Sequence, residues 1–152
     1  MATIDEEINQ SKFESDFQRA HLNLIFTANW FRDQSKAMFK QFDLTSQQFN
    51  VLRILKGAHP KVCSAGYIKD VMIDKSPDLT RLIDRLISKG LVSRCVCPDN
   101  RRKLDITITD KGISLLNKIN PIVKKESEKL DNITKQEAVE LSRILDKMRG
   151  KG

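Results

Sequence analysis

The stretch DLTRLIDRLISKGLVSRCVCPDNRRKLDITITDKG, residues 78–112, joins two patterns of different periodicity. Its first part repeats apolar residues three or four positions apart, which predicts an amphipathic helix; they are Leu79, Leu82, Ile83, Leu86 and Ile87. From residue 104 to residue 108 apolar and polar side chains alternate, which predicts a strand with one buried face. The stretch therefore predicts a helix that leads directly into a β-hairpin.

The predicted helix has signals for its start and its end. Ser76 is a suitable N-cap, and Pro77 would take the first helical position, where a missing N–H is tolerated. Gly90 is able to adopt the left-handed conformation that ends a helix. The face opposite the apolar stripe carries polar residues, with Asp84 expected near Arg81; they are Pro77, Asp78, Thr80, Arg81, Asp84, Arg85 and Ser88. This face is either a binding surface or simply solvated.

Three adjacent cations, Arg101, Arg102 and Lys103, stand beside the predicted turn of the hairpin at residues 98–100. The hairpin strands are expected at residues 91–97 and 104–108. Like charges at a hairpin tip repel one another, and a phosphate backbone or an electronegative minor groove would relieve that repulsion. The hairpin is therefore predicted to be the wing of a winged helix.

Two further helices are predicted before this stretch. The capping box of Thr45 and Gln48 opens one that ends at Gly57 and turns three apolar residues inward; these are Phe49, Leu52 and Leu55. Ser64 is expected to cap the second, with Ile68, Val71 and Met72 on one face. This second helix and the helix from residue 77 are separated by a brief turn, which is typical of a helix-turn-helix.

Amphipathic helices are also predicted at both ends of the chain. The first 40 or so residues carry one apolar stripe, which predicts a long helix; it comprises Phe13, Phe17, Ala20, Leu24, Phe31, Met38 and Phe42. Residues 22–31 are apolar on more than one face, so the helix needs cover from the rest of the domain or from a second subunit. We expect the terminal helices to pair with each other and with a second copy.

The C-terminal part of the chain contains two helix starts. Thr109 is expected to cap a helix that Pro121 kinks or interrupts, with Ile113, Leu116, Ile119 and Val123 as its stripe. A capping box of Thr134 and Glu137 opens the last helix, which ends before Gly150. Its stripe consists of Leu141, Ile144, Leu145 and Met148.

Composition narrows the functional classes. A chain of 152 residues suits one domain, and its net charge of +7 with a pI near 9.4 favours an anionic partner. No apolar run is long enough for a bilayer, and the polar N-terminus is no signal peptide, so we expect a cytoplasmic protein. No catalytic triad, phosphate-binding loop or HExxH motif occurs, and no metal-ligand spacing, so neither an enzyme nor a bound cofactor or metal is expected. Cys63, Cys95 and Cys97 are either plain reduced thiols or redox sensors.

Three segments in order, DLTSQQFNVLRIL (43–55), DLTRLIDRLISKGLVSR (78–94) and CPDNRRKLDITITDKGISLL (97–116), resemble the MarR (multiple antibiotic resistance regulator) family. The resemblance implies a mainly α fold with a small β-hairpin wing, a winged helix-turn-helix with N- and C-terminal dimerisation helices. It also implies a homodimeric transcription regulator of double-stranded DNA, usually a repressor. As one domain spanning 1–152, the chain would bind DNA through residues 44–110 and dimerise through 1–42 and 111–150.

The resemblance assigns roles to individual positions. Ser76, Pro77, Thr80, Arg81 and Arg85 fall on the face that reads the major groove. Arg102, with Arg101 and Lys103 beside it, falls on the wing arginine that reaches the minor groove. Asn100 stands where the family has an aspartate that holds this arginine.

Relatives often respond to a small aromatic or phenolic effector, and His21, Trp30 and Phe31 lie on the helix that would line such a site. Packing in the core or in an interface is the alternative use of Trp30 and Phe31. A winged-helix module that binds proteins and not DNA is the alternative function.

Overall fold

The computed structural model describes residues 2–75, 77–97, 99–128 and 132–150, without the side chains of residues 97 and 100–103. The helices are α1 (Ile4–Glu7), α2 (Asp16–Lys40), α3 (Ser46–Ala58), α4 (Ala65–Val71), α5 (Leu79–Ser88), α6 (Asp110–Ser127) and α7 (Lys135–Met148). The strands are β1 (Cys63–Ser64), β2 (Val92–Cys97) and β3 (Asn100–Ile108). The predicted fold class, mainly helical with a small hairpin, is confirmed. None of the helices in the described ranges is long and apolar enough to cross a membrane.

The core forms around α3. Val51, Leu52 and Leu55 on its inner side are at most 1% exposed, and they share one cluster with apolar residues of the other elements. Those that are buried most completely are Ile68 of α4, Leu86 of α5, Ile106 of β3, and Leu116 and Ile119 of α6. Burial of this apolar surface is the main stabilising contribution to the fold, and it holds α5 and the hairpin against α3.

The hairpin belongs to a three-stranded antiparallel sheet in the order β1-β3-β2. Val92 pairs with Ile108 at the base of the hairpin, and Cys63 of β1 pairs with Ile106. Ile106 and Ile108 are buried, so the alternation of apolar and polar residues correctly predicted which face of β3 is turned toward the core. The two-residue strand β1 was not predicted, because a segment of that length shows no periodicity.

Most predicted helix starts are confirmed. Thr45, Ser64, Thr109 and Thr134 each accept a hydrogen bond from the backbone N–H three residues later. In the last capping box Thr134 donates its backbone N–H and its hydroxyl to Glu137, which lowers the pKa of that carboxyl. Gly90 and Gly150 end their helices with φ of 69° and 72°, as the left-handed cap requires.

The apolar stripe predicted one long helix over the first 40 residues, but these residues form two separate helices. Ser15 caps α2 by accepting from the Gln18 N–H, and a separate turn, α1, precedes it. Phe13 and Phe42 lie outside α2. The apolar stripe extends beyond both ends of α2 because the spacing of apolar residues does not indicate where a helix begins. The start of the helix is set by its cap.

Of the kink or break expected at Pro121, the structure shows no break, since α6 continues to Ser127 with Leu116, Ile119 and Val123 packed on the core. Two finer predictions were wrong. Val71 is 43% exposed and does not share the inward face of Ile68. Helix α3 ends at Ala58, one residue beyond Gly57.

Gly112, in the first turn of α6, lies against the base of the hairpin. A Cβ atom built on it would lie 2.3 Å from the Leu91 carbonyl oxygen and 2.7 Å from Ile108 Cγ1. No side chain fits at that separation, so the close approach of α6 to the hairpin requires glycine here.

We predict that Gly112→Ala lowers the free energy of unfolding by about 2–3 kcal/mol, because the backbone must move to relieve the overlap. Urea unfolding followed by circular dichroism at one protein concentration measures this. Gly57→Ala is the matched control: its Cβ would meet nothing within 4 Å, and it should stabilise α3 by about 0.5–1 kcal/mol. Equal stability of the two variants would contradict the contact at Gly112.

Candidate nucleic-acid interface

Helix α5 begins later than its sequence suggests. Asp78 is the N-cap, since its carboxylate accepts the Arg81 N–H at 3.3 Å and the helix starts at Leu79. Pro77 therefore precedes the cap and is not the first helical residue, and the predicted cap Ser76 lies outside the described residues. A carboxylate at this position also interacts favourably with the positive end of the helix dipole, which a serine hydroxyl does less well.

The two faces of α5 differ as the wheel predicted. Leu82, Ile83 and Leu86 are buried against the core. Thr80, Arg81 and Arg85 are exposed on the other side, and Pro77 is half-buried beside them. The Arg81 side chain is 82% exposed, with its Nε 3.6 Å from Asp78 Oδ2. An exposed ion pair of this kind is weak, so the guanidinium is available for another partner.

The sequence had suggested that Asp84 offsets the charge of Arg81, but Asp84 pairs with a different arginine. Its Oδ1 lies 3.1 Å from Nη1 of Arg94 in β2. Arg94 reaches back to α5 because β2 begins only four residues after the helix ends. The pair connects the outer face of α5 to the wing, and it engages the carboxylate that lies beside Arg81 and Arg85 on that face.

Side chains from α3 hold the turn between α4 and α5. Asn50 Oδ1 accepts the Ile73 N–H at 2.9 Å, and Gln47 Nε2 donates to Asp74 Oδ2 at 3.0 Å. Sequence reasoning missed both residues, because Gln47 and Asn50 are two of several polar residues on α3 and no local pattern sets them apart. They set the angle between the two helices of the helix-turn-helix.

The cation triplet lies within β3 and not in the turn before it. Val96 pairs with Leu104 and the adjacent Cys97 pairs with Asn100, so a register shift places Arg101, Arg102 and Lys103 between two successive pairs. The strand thus begins at Asn100, four residues earlier than predicted. The structure does not describe the side chains of these three residues. Their backbone is at the far end of the hairpin from its base at Val92 and Ile108.

The described residues contain no group of three or more His, Cys, Asp or Glu side chains that could hold a metal ion. Cys63 is buried, and desolvation raises the pKa of its thiol, which makes it a poor nucleophile. Cys95 is exposed on β2, with its Sγ 3.8 Å from the Asp105 carbonyl oxygen.

A cavity of about 390 Å³ lies between α2 and α6. Its apolar wall includes Trp30, Phe31, Met38 and Val123. The rings of Trp30 and Phe31 are in edge-to-face contact, with their centroids 4.8 Å apart. Trp30 and Phe31 remain 49% and 40% exposed, so they are not core residues of this chain. His21 is not among the residues that line the cavity.

Comparison with known proteins agrees with this architecture. A family model described as the MarR family matches residues 44–104. The crystal structure of a MarR transcription factor from Planctomyces limnophilus is 36% identical in sequence, and the match covers 89% of this chain and 98% of that chain with a TM-score of 0.69. The chain belongs to the MarR family.

The chain is also similar to three further proteins. The transcriptional regulator PecS of Dickeya dadantii is 27% identical over 114 residues, which are 73% of this chain and 68% of PecS. A mutant MarR from E. coli, crystallised with operator DNA, is 28% identical, with 83% of this chain and 91% of that chain covered and a TM-score of 0.71. The MepR–DNA complex of S. aureus shares the fold at 20% identity, with 93% and 100% covered and a TM-score of 0.77.

Proposed function

We propose that this MarR-family regulator binds a pseudo-palindromic DNA operator as a homodimer and represses transcription. The observation that carries the proposal is the outer face of α5, where Thr80, Arg81 and Arg85 are exposed beside a wing that contains three consecutive cations. A net charge of +7 agrees with a polyanionic partner. The E. coli relative with operator DNA supports this assignment by similarity.

Recognition would divide between the helix and the wing. Thr80 and Arg81 on the exposed face of α5 are suited to base edges in the major groove, where arginine pairs with guanine through two hydrogen bonds. Pro77 before the helix and Arg85 toward its end extend this surface, and Ser76, which precedes Pro77 in the sequence, is a further candidate. Arg102, flanked by Arg101 and Lys103, would contact the minor groove or its phosphates. Asn100 offers that arginine a neutral acceptor in place of the family's carboxylate.

The dimer would form through the helices at the two ends of the chain, residues 1–42 and 111–150, leaving residues 44–110 for DNA. Helix α7 has no buried residue, although it carries Leu141, Ile144 and Met148 on one side at 41–53% exposure. An apolar stripe of this kind needs a partner surface. In α2, Phe17, Leu24 and Ile25 are also exposed. A second copy of the chain would cover both sets.

The cavity between α2 and α6 is suited to a small aromatic or phenolic effector. Its apolar wall would accept a ring, while Gln34, Ser35 and Ser127 line the same space and offer hydrogen bonds. Since α2 leads from the dimerisation region into α3, an occupant that shifts α2 would change the distance between the two reading helices and release the operator.

We predict that Arg81→Ala weakens binding to a duplex selected from a random pool by about 1–3 kcal/mol and relaxes preference at one or two base pairs. Arg102→Ala should weaken binding with little change of preference, because wing contacts are mainly to the backbone. Fluorescence anisotropy with the selected duplex and its single-base variants measures both effects. The selected sequence should show two-fold symmetry with half-site centres about 34–36 Å apart. Lack of any DNA binding that weakens with salt would favour a protein-binding module.

We predict that Leu141→Glu converts the dimer to monomers, since a carboxylate cannot be buried in an apolar interface. Sedimentation velocity measures the mass directly. Ser142→Glu, which adds the same charge to the same helix outside the stripe, should remain dimeric. A Leu141→Glu protein that sediments like its control would place the dimer interface elsewhere.

We predict that a phenolic ligand of the cavity quenches the fluorescence of Trp30, the single tryptophan of the chain, and releases bound DNA. Val123→Phe should fill the cavity and abolish both responses, while DNA binding without ligand persists. Val62→Phe makes the same change on a half-exposed residue outside the cavity and should respond normally. Titration of a panel of phenols, read by fluorescence and anisotropy together, tests this, and an equal response of both variants would exclude the cavity.

A further inference from the structure

A concave basic surface, here called the cationic groove, lies where the C-terminal half of α2 meets the first turn of α3 and the end of α5. It encloses about 520 Å³. Its charged lining consists of Arg32, Lys36, Lys40, Asp43, Arg85 and Lys89. Sequence reasoning did not identify this groove, because its cations come from two helices more than 40 residues apart.

The groove carries excess positive charge. Five cations against one carboxylate leave a formal charge of +4 on its lining. Asp43 is already engaged, since Lys89 Nζ lies 3.2 Å from its Oδ2 and also donates to its backbone carbonyl. Arg32 donates to Asn29 Oδ1 at 2.8 Å, which is a neutral partner. The field in this concave surface is therefore positive and would concentrate anions.

Three of the cations form a row along α2. Arg32, Lys36 and Lys40 are spaced four residues apart and are all exposed. Successive members are about 6 Å apart along the axis at 1.5 Å per residue. Like charges at this spacing weaken a helix, so a row of three is most stable with a linear array of negative charge beside it. A single small anion would neutralise one of them, whereas a phosphate backbone would neutralise all three.

The groove is continuous with the reading surface. Arg85 lines it and also lines the neighbouring depression that contains Pro77, Asp78 and Arg81. On another side of α5, Asp84 faces the wing through Arg94. A duplex seated on α5 would therefore meet the wing on one flank and the cationic groove on the other.

We propose that the cationic groove binds the sugar-phosphate backbone of the operator beyond the base pairs that α5 reads. This inference rests on the proposed function and adds a third contact surface to the helix and the wing. Lys36 and Lys40 would hold successive phosphates, and Arg85 would connect this contact to the major-groove contacts. Because phosphates carry no base identity, the groove would add affinity and register without changing sequence preference.

The test is the salt dependence of operator binding by the full-length Lys36→Gln/Lys40→Gln protein. Two lysines per protomer give four phosphate contacts per dimer, so the slope of log K against log salt should fall in magnitude by about 3.6. Between 50 and 200 mM salt the variant should therefore lose roughly 100-fold less affinity than the parent does. The same base pairs should be preferred by both proteins.

Lys56→Gln/Lys118→Gln is the matched control, because it removes the same charge from two exposed lysines outside the groove. Its slope should stay within about one unit of the parent's. Circular dichroism establishes that both double variants are folded. Methylphosphonate replacement of the phosphates flanking each half-site should weaken the parent and leave the Lys36→Gln/Lys40→Gln protein unaffected.

The outcomes separate this inference from the proposed function. If the parent binds its operator and Arg81→Ala weakens it, but both double variants share one slope, the groove does not contact DNA and the proposed function stands. If the parent binds no DNA at any salt concentration, the proposed function fails and the groove proposal fails with it. A groove variant with altered base preference would also overturn the inference, since it would show a role in base readout.

Discussion

Helix α5, the wing and α6 are joined at one close contact between residues 89–91 and residues 109–112. Thr109 Oγ1 donates to the Gly90 carbonyl at 2.7 Å, and the Thr109 N–H donates to the Leu91 carbonyl at 3.1 Å. Lys111 Nζ donates to the Lys89 carbonyl at 2.7 Å. Gly112 lacks the Cβ that would separate these segments. The orientation of the wing relative to α5, on which every surface described above depends, follows from this junction.

The junction has consequences for the rest of the molecule because it ends one helix and begins another within the same few residues. Carbonyls at the end of α5 accept hydrogen bonds from groups at the start of α6, which satisfies acceptors that a helix end otherwise leaves unpaired. The core cluster that includes Leu86, Leu91 and Ile108 packs directly beneath. The end of α5, the base of the hairpin and the first turn of α6 are therefore expected to move together, whereas α7, which buries no residue, is held by the rest of this chain much less firmly.

The charged residues lie on the surface, in contrast to the apolar residues of the core. The apolar residues of the core come together from eight elements, while the cations of α2 and α5 lie on adjoining parts of one exposed surface. The carboxylates near them are already paired, Asp84 with Arg94 and Asp43 with Lys89. Exposed pairs contribute little to stability, but these two engage carboxylates that would otherwise offset the charge of Arg85 and of the row on α2. The result is a surface with an excess of positive charge beside a rigid helix, which suits a polyanion better than it suits a protein partner.

Much of the fold was predictable from local patterns. The caps at Thr45, Ser64, Thr109 and Thr134, the inner face of α5 and the buried parity of β3 depend on hydrogen bonds or periodicity within one segment, and the structure confirms them. The uninterrupted path of α6 through Pro121 was not predictable in this way, because it depends on packing against residues far away in sequence. The division of the N-terminal region into α1 and α2 follows from the cap at Ser15, a local signal that the apolar stripe did not reveal.

The candidate site likewise has one part that local sequence patterns predicted and another that they did not. The sequence by itself determined which residue types are present on α5 and in the wing, and the order of elements that brings them close together, because these follow from spacing along one continuous stretch. Only the tertiary structure decided that Asp84 binds Arg94 and that Arg32, Lys36 and Lys40 line one groove with Arg85. Those relations join segments separated by as many as 53 residues, and a contact of that kind is decided by the shape of the packed core, which no local pattern encodes.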